Sequence, residues 1–203
     1  MKKLLLSSAL CLLPLAITSC GLEEVCENEA QQVRITSSTG SAFLIDKFEA
    51  SRTNATAQTA GTGVTMACNL QNTIPWGNVT YEDARNACLD AGKRLCTKAE
   101  WMAACGSNYY PYGQKFDNTA CASSGVESSP TGSKSNCKSN ANVFDMSGNL
   151  REWVEEGILM GGAYSSGQEE LRCTSSLPPQ NGALLYSPSA ADGFRCCQDI
   201  ALQ

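Results

Sequence analysis

Cysteine content is the feature that most constrains how this chain can fold. Of its 203 residues, 12 are cysteine. An even number of cysteines in an exported chain predicts a framework of disulfide bonds. The alternative, a structural zinc site, favours closely spaced Cys-x-x-Cys pairs, and the sequence contains none. Two cysteines, Cys11 and Cys20, lie in the N-terminal leader. The other ten are Cys26, Cys68, Cys88, Cys96, Cys105, Cys121, Cys137, Cys173, Cys196 and Cys197.

Composition leaves the connectivity of these cysteines open, but the local sequence restricts it. Residues 193–197 have a strand-like pattern, and neighbouring residues of a strand point to opposite faces. Cys196 and Cys197 should therefore bond different partners and not each other. Cys121 and Cys137 bracket a stretch rich in Ser, Asn, Gly and Lys, residues 122–142, which predicts a long exposed loop closed by a local bridge.

The N-terminal segment predicts export. Two lysines precede an apolar run, residues 4–17, that is too short to span a bilayer, so residues 1–19 are interpreted as a signal peptide. The run ends in Ile-Thr-Ser-Cys, which resembles a bacterial lipobox whose cysteine, here Cys20, is acylated. Residues 20–39 then form the lipidated N-terminus, a tether and the first strand. Gly21 is not the aspartate that retains lipoproteins in the inner membrane, which favours the outer membrane.

Charge and composition exclude several kinds of function. Without residues 1–19 the chain would carry 13 basic and 20 acidic residues, a formal charge of −7. With no basic run, the sequence does not favour nucleic acid as a partner, and the expected membrane contact is the lipid anchor. Histidine is absent, which excludes Ser-His and Cys-His nucleophile pairs and every histidine-containing metal site.

Short elements and many turns are predicted after residue 40. Residues 43–50 have strand-like content, and residues 51–65 have the composition of a loop. Thr80 is positioned to cap one helix that Gly92 closes. Thr97 and Glu100 form a capping box for a second helix, residues 101–105. Residues 158–164 and 193–197 are the remaining strand-like segments.

Seven motifs in a fixed order resemble one protein family. They are Ile45-Asp46-Lys47-Phe48-Glu49, Val79-Thr80-Tyr81-Glu82-Asp83-Ala84, Gly92-Lys93-Arg94-Leu95-Cys96-Thr97-Lys98-Ala99-Glu100-Trp101, Tyr110-Pro111-Tyr112-Gly113, Asp145-Met146-Ser147-Gly148-Asn149-Leu150-Arg151-Glu152-Trp153, Gly161-Gly162-Ala163-Tyr164 and Gly193-Phe194-Arg195-Cys196. The ordered set resembles the formylglycine-generating enzyme, or sulfatase-modifying factor, family. The resemblance implies an α+β domain over residues 40–203 with a loop-rich, disulfide-stapled variant of the C-type lectin fold.

The resemblance also implies disulfide pairs. By position, Cys88 would bond Cys196, and Cys105 would bond Cys173. Cys68 and Cys96 flank the first helix and are expected to form a further pair, which leaves Cys26 for Cys197 and would tie the two ends of the chain together.

Authentic members of the family resemble copper-dependent oxidases that convert a cysteine of a client sulfatase to formylglycine with two Cu(I)-binding thiolates. The first thiolate follows a Gly-Gly-Ser-Tyr-like turn by two residues, and Ser166 stands there in this chain. Cys173 is expected to be committed to Cys105. A serine hydroxyl does not replace a thiolate at Cu(I), so no catalytic residue is assigned and no copper is expected.

Calcium is the cofactor that the resemblance implies. Its candidate ligands are the carboxylates of Asp145 and Glu152 and the carbonyls of Gly148 and Leu150, since Ca²⁺ prefers hard oxygen ligands. The alternative is a capped turn in which Asp145 and Asn149 bond local amides. Arg151 occupies a position where relatives usually have Trp, and a cation there would weaken calcium binding.

The leading hypothesis is a non-catalytic, lipid-anchored protein that binds an unidentified protein or glycan at the cell envelope through residues 165–192. The competing hypothesis is a divergent copper-dependent oxidase of the formylglycine-generating type. A third is a structural envelope component with no discrete ligand.

Overall fold

The computed structural model describes residues 25–27, 29–37 and 40–200. The predicted signal peptide and Cys20 lie outside these residues. Two α-helices and eight short strands make up the α and β structure of the described residues, which matches the predicted mixture of few elements and many turns. In chain order they are β1 Val33–Thr36, β2 Ala42–Ile45, α1 Tyr81–Asp90, β3 Arg94–Leu95, α2 Lys98–Cys105, β4 Arg151–Trp153, β5 Leu159–Met160, β6 Ser176–Leu177, β7 Asp192–Phe194 and β8 Cys196–Asp199.

The strands form two four-stranded sheets. The first has the order β1-β2-β8-β3 and is antiparallel throughout, so the C-terminal strand β8 lies between strands from the N-terminal half. The second has the order β6-β5-β4-β7, in which β4 and β7 are parallel. A single residue, Arg195, separates β7 from β8, so the chain passes directly from one sheet to the other there.

Helix ends follow the capping signals of the sequence. Thr80 is the N-cap of α1, and its side chain accepts a hydrogen bond from the Asp83 amide. Thr97 and Glu100 form the predicted capping box of α2. The helix begins at Lys98 rather than at Trp101, because the capping residues are themselves its first turn. No helix in the described part of the chain has both the length and the apolar character needed to cross a membrane.

The predicted strand over residues 43–50 is shorter than expected. It ends at Ile45, because Asp46 turns away to meet the Lys93 ammonium at 3.1 Å and is fully buried there. The predicted exposed loop, residues 122–142, has no helix or strand, as expected, but is only partly exposed. Thr131 is fully buried, and its hydroxyl donates to the Leu70 carbonyl at 2.7 Å.

Buried apolar side chains form two clusters. One packs α2 against the first sheet around Trp101, and the other packs α1 against the second sheet around Trp153. Cys88 and Cys105, each on the buried side of its helix, belong to different clusters. The two disulfides that leave these helices therefore join the helices to different parts of the core.

Five disulfides join all ten cysteines of the described part of the chain. Three have the expected partners, Cys88–Cys196, Cys105–Cys173 and Cys121–Cys137. Cys196 and Cys197 bond different partners, as alternation along a strand requires.

The other two pairs differ from those expected. The expected pairs Cys68–Cys96 and Cys26–Cys197 are replaced by Cys26–Cys68 and Cys96–Cys197. The register of β3 against β8 explains the second of these. Arg94 lies opposite Cys197, so Cys96, directly after β3, is already beside β8.

The N-terminal segment explains the first. Glu29 and Ala30 lie along Asn69: the Ala30 amide donates to the Asn69 carbonyl at 2.8 Å, and the Asn69 amide donates to Glu29 at 2.9 Å. This pairing places Cys26 next to Cys68. The disulfide therefore fixes the N-terminal segment to the middle of the chain, and not to its C-terminal strand.

Candidate binding surface and buried charge cluster

A glycine turn directly after β5 leads into the segment that contains Ser166, the residue at the expected thiolate position. Gly161 has φ +84°, and a Cβ there would lie 2.8 Å from the indole of Trp101. Only glycine fits this backbone conformation beside the buried indole without strain. Gly162, with φ +67°, continues the turn, and a Cβ there would lie 2.9 Å from the Glu170 carbonyl oxygen. The chain thus turns tightly between the core and residues 165–177.

A small cleft of about 120 Å³ lies at this turn. Its walls include Arg151, Ser166, Glu170, Ser176 and Leu177. The Ser166 hydroxyl accepts a hydrogen bond from the Ala163 amide at 2.9 Å, and the Gly167 amide donates to Glu170. Ser166, the residue at the expected thiolate position, therefore lies at the cleft and is held within its own turn.

Cys173, the cysteine that follows Ser166 in the chain, is not a free thiol. Cys173 is buried and bonded to Cys105. Every cysteine among residues 25–27, 29–37 and 40–200 is in a disulfide, so no thiol pair lies at the cleft within this part of the chain. A hydroxyl and a disulfide sulfur do not provide the two soft thiolates of a Cu(I) site.

The segment 165–192 carries the exposed apolar side chains expected of a contact surface. Leu184 and Leu185 are 69% and 77% exposed, and they lie in a short 3-10 helix, Ala183–Leu185. Leu177 in β6 is also exposed. Since β6 is the edge strand of its sheet, one side of its backbone has no strand partner among the described residues. The segment offers apolar and backbone contacts together.

Four charged side chains lie close to one another in the core. Arg195 is fully buried, and its guanidinium grips Glu152, with Nη2 2.6 Å from Oε1 and Nε 2.7 Å from Oε2. The indole of Trp101 donates to the same Glu152 Oε2 at 2.8 Å. Glu49 and Asp145, both buried, complete the cluster.

Two of these carboxyls are strongly perturbed. Burial raises the pKa of Asp145 to about 7, against the favourable hydrogen bond from the Gly132 amide and the attraction of Arg195. Burial also raises the pKa of Glu49 well above its usual value, and the nearby Asp145 and Glu152 raise it further. One guanidinium faces three carboxyls, so the cluster holds excess negative charge when all are ionised.

The motif that carries this cluster turns sharply and is bonded to distant segments of the chain. Asp145, Gly148 and Asn149 all have positive φ angles. The Asn149 side chain accepts from the Ser129 amide at 2.8 Å and donates to Glu49, and the Leu150 amide donates to the other Glu49 oxygen at 2.9 Å. Asp145 and Asn149 both accept from backbone amides, as the turn alternative expects, but those amides belong to Gly132 and Ser129, 13 and 20 residues away, and are not local.

The calcium ligand set fits this geometry only in part. Both oxygens of Glu152 are engaged by Arg195, and no group of three His, Cys, Asp or Glu side chains arranged to hold a metal occurs in the described residues. Asp145 and the carbonyls of Gly148 and Leu150 are left as the hard oxygen ligands. Arg151, the cation expected to weaken calcium binding, is paired with Asp192 at 2.6 Å. Calcium binding stays a prediction.

One concave surface was missed from the sequence. A depression of about 510 Å³ lies between the Tyr112 turn and residues 136–142, and its walls include Tyr112, Asp117, Asn136, Asn140 and Asn142. The sequence predicts only an exposed loop there. The signal that identifies it is the density of asparagine just after Cys137, in a loop that a disulfide closes.

Known proteins give a consistent picture of the fold. Residues 19–200 match the family model of the sulfatase-modifying factor enzyme 1-like domain. The serine/threonine-protein kinase Pkn1 of Chlamydia trachomatis serovar L2 is 26% identical over 155 residues, which are 62% of this chain and 24% of the kinase. Its counterpart in Chlamydia caviae matches to the same extent. The chain therefore spans about a quarter of the length of these relatives.

Three solved structures share the architecture. Variable protein 1 of Treponema denticola superposes with a TM-score of 0.57 at 13% identity, covering 87% of this chain and 94% of that chain. CarF gives 0.53 at 18% identity, covering 79% and 87%. The P3c variant of the major tropism determinant gives 0.53 at 17% identity, covering 82% and 52%. These similarities confirm the predicted α+β, C-type-lectin-like fold.

Proposed function

This chain belongs to the family of sulfatase-modifying factor enzyme 1-like domains, and we propose that within it the protein is a non-catalytic, lipid-anchored binding protein of the cell envelope. The observation that carries the proposal is the sulfur chemistry at the cleft. Ser166 stands where the oxidases have their first thiolate, and Cys173 is bonded to Cys105.

Copper chemistry explains why this difference matters. Cu(I) is held by soft ligands, and a two-sulfur site needs two thiolates free at the same time. The Ser166 hydroxyl is a hard, weakly acidic group that stays protonated near neutral pH. Its hydrogen bond with the Ala163 amide fixes it within the turn. With Cys173 in a disulfide, the cleft supplies neither sulfur.

The scaffold supports a binding role. Five disulfides brace a fold with little regular secondary structure, which leaves long loops on a rigid frame. Residues 165–192 combine the exposed leucines with the edge strand β6. One structural neighbour is by name a tropism determinant and another a variable protein. By analogy with such names, we propose that this segment contacts a protein or a glycan.

The anchor and the location are inferred from the sequence. The lipobox-like Ile17-Thr18-Ser19-Cys20 supports acylation of Cys20, and Gly21 favours the outer membrane. The acidic chain carries no basic run that would bind an anionic lipid surface, so the acyl chains would supply the attachment.

An oxygen electrode tests the non-catalytic proposal. The mature protein, loaded with Cu(I) and given a cysteine-containing peptide, should consume no oxygen above the copper blank, and its thiol count should be zero before reduction, the acylated Cys20 having no free thiol. The variant Cys105→Ser frees Cys173 and serves as the matched control, because it restores one thiol but not two. Turnover by the wild-type protein that Cys173→Ser abolishes would overturn the proposal and establish the oxidase alternative.

Metabolic labelling with a radioactive fatty acid tests the anchor. The wild-type protein and the variant Cys11→Ser should incorporate label and sediment with membranes. The variant Cys20→Ser should do neither, because the acylated atom is the sulfur of Cys20. Label retained in Cys20→Ser would contradict the anchor proposal while leaving the non-catalytic proposal untouched.

A further inference from the structure

The asparagine-lined depression is distinct from the cleft at the family position. Its walls come from two chain segments, 111–120 and 136–142, and none of its lining residues lines the cleft. Its volume of about 510 Å³ is in the range of pockets that hold small organic ligands. Neither the fold nor the proposed binding segment 165–192 accounts for it.

Its hydrogen-bonding groups are free to meet a ligand. The side-chain carboxamides of Asn136, Asn140 and Asn142 all line the depression, and none has a hydrogen-bond partner among the described residues. Each carboxamide offers two N–H donors and one oxygen acceptor side by side. Vicinal hydroxyls of a sugar present the same alternation of donor and acceptor, so three such amides complement a polyhydroxyl ligand.

An aromatic ring forms part of the opposite wall. Tyr112 stacks on the buried Tyr110 with ring centroids 5.4 Å apart and an angle of 8° between the planes. The stack holds the Tyr112 ring in place. A fixed aromatic face packs against the C–H face of a pyranose and leaves the sugar hydroxyls to the amides.

The charges around the depression balance. Lys138 and Asp117 both line it, one cation and one carboxylate. The Asp117 side chain already accepts from the Thr119 amide at 2.8 Å, and the Lys138 ammonium lies over the Phe144 ring. A surface with no net charge and many amides favours a neutral ligand over an anionic one.

A disulfide holds the two walls together. Cys121 follows Ala120 in the first wall, Cys137 lies between Asn136 and Lys138 in the second, and the two are bonded. The second wall is itself a tight turn, because the Ser139 amide donates to the Val143 carbonyl at 2.9 Å and the Asn142 amide donates to Ser139. A site whose walls are fixed before binding loses less entropy when a ligand enters.

We propose that this depression binds a neutral saccharide, with the three asparagines as hydrogen-bonding groups and Tyr112 as the stacking surface. The inference rests on the proposed binding function and names a ligand class for a second site. It needs no metal ion, since Asp117 is the only carboxylate in the described lining.

A printed array of neutral and acidic oligosaccharides, followed by calorimetry with the strongest neutral one, tests this proposal on the disulfide-intact mature protein. Binding should be unchanged by EDTA. The double variant N136A/N140A should weaken it at least about tenfold, because two amides that each make paired hydrogen bonds are removed. The matched control is Asn86→Ala, an exposed asparagine on α1, outside both the depression and the 165–192 segment. It should bind as the wild type does.

Other outcomes separate this site from the function as a whole. Retention of neutral binding in N136A/N140A, binding of acidic oligosaccharides only, or no binding to any saccharide would overturn the proposal. An empty array would overturn the saccharide site. If an envelope protein is nevertheless captured, and a variant of residues 165–192 loses it, the proposed binding function still stands. Copper-dependent turnover would instead refute the binding function itself.

Discussion

Arg195 and Glu152 form a fully buried, two-point ion pair, with Arg195 Nη2 2.6 Å and Nε 2.7 Å from the two carboxylate oxygens. Arg195 lies between the last strands of the two sheets, and it also donates to the backbone carbonyls of Asp46 at 3.2 Å and Phe144 at 2.8 Å. One side chain therefore joins both sheets and the segment that leads into the Asp145 motif.

Removing this arginine should strongly destabilise the fold. Arg195→Met leaves Glu152 buried without its partner, and breaking a buried pair in this way costs about 3–5 kcal/mol. Urea unfolding at pH 7 measures the change. The control is Arg85→Ala, which removes an exposed pair with Glu155 at 3.7 Å and should cost about 1 kcal/mol or less. Equal losses in the two variants would contradict the central role of the buried pair.

Asp145 should make the protein less stable as the pH rises towards neutrality. Its folded pKa, about 7, exceeds that of an unfolded aspartate, about 3.9, so the folded state holds the proton more tightly. This contribution is fully present below about pH 4 and is lost as the pH rises towards 7. Asp145→Asn keeps an acceptor for the Gly132 amide and should flatten the slope of unfolding free energy between pH 5 and 7. An unchanged slope would show that Asp145 ionises normally.

Calcium, if it binds at the Asp145 motif, should reverse that cost. At pH 8 the carboxylate is ionised, and Ca²⁺ should raise the melting temperature of the wild-type protein but not of Asp145→Asn. Isothermal calorimetry with Ca²⁺ on protein treated with EDTA provides the second measurement. No heat and no thermal shift in the wild type would remove the calcium site and leave Asp145 as a capping residue.

The disulfides should differ in their contributions to stability. In the chain-entropy model, loss of Cys88–Cys196, which spans 108 residues, costs about 5 kcal/mol, and loss of Cys121–Cys137, which spans 16, costs about 3 kcal/mol. The paired alanine variants, unfolded in urea, give both values. Peptide mapping of the non-reduced protein should recover all five pairs, and a Cys68–Cys96 peptide would contradict the structure.

Local signals in the sequence predicted the helix ends because capping is a contact between near neighbours. Thr80 with Asp83 and Thr97 with Glu100 each lie three residues apart, so the residue types alone define the geometry. The family positions likewise specified Cys88–Cys196 and Cys105–Cys173. The helix caps and these two disulfides could be predicted because each depends on a short motif that can be read directly from the sequence.

Long-range placement was less accessible. The partners of Cys68 and Cys96 follow from which segments lie side by side: Glu29 and Ala30 along Asn69, and β3 along β8. Neither pairing of segments has a local signature in the sequence. The position of Cys68 and Cys96 on either side of α1 was therefore a poor guide to their disulfide partners. The engagement of Glu152 by Arg195 is also a contact across 43 residues, and it reduces the ligand set expected for calcium. The depression between Tyr112 and Asn140 depends on folding two loops together.

The Cys26–Cys68 bond has a mechanical consequence for a chain acylated at Cys20. Only five residues separate Cys20 from Cys26, so even a fully extended chain between them reaches about 20 Å. A domain of this size is roughly 40 Å across. Such a domain would therefore lie close to the bilayer with its Cys26 side facing the lipid headgroups. It could tilt, but its opposite side could not come to face the membrane.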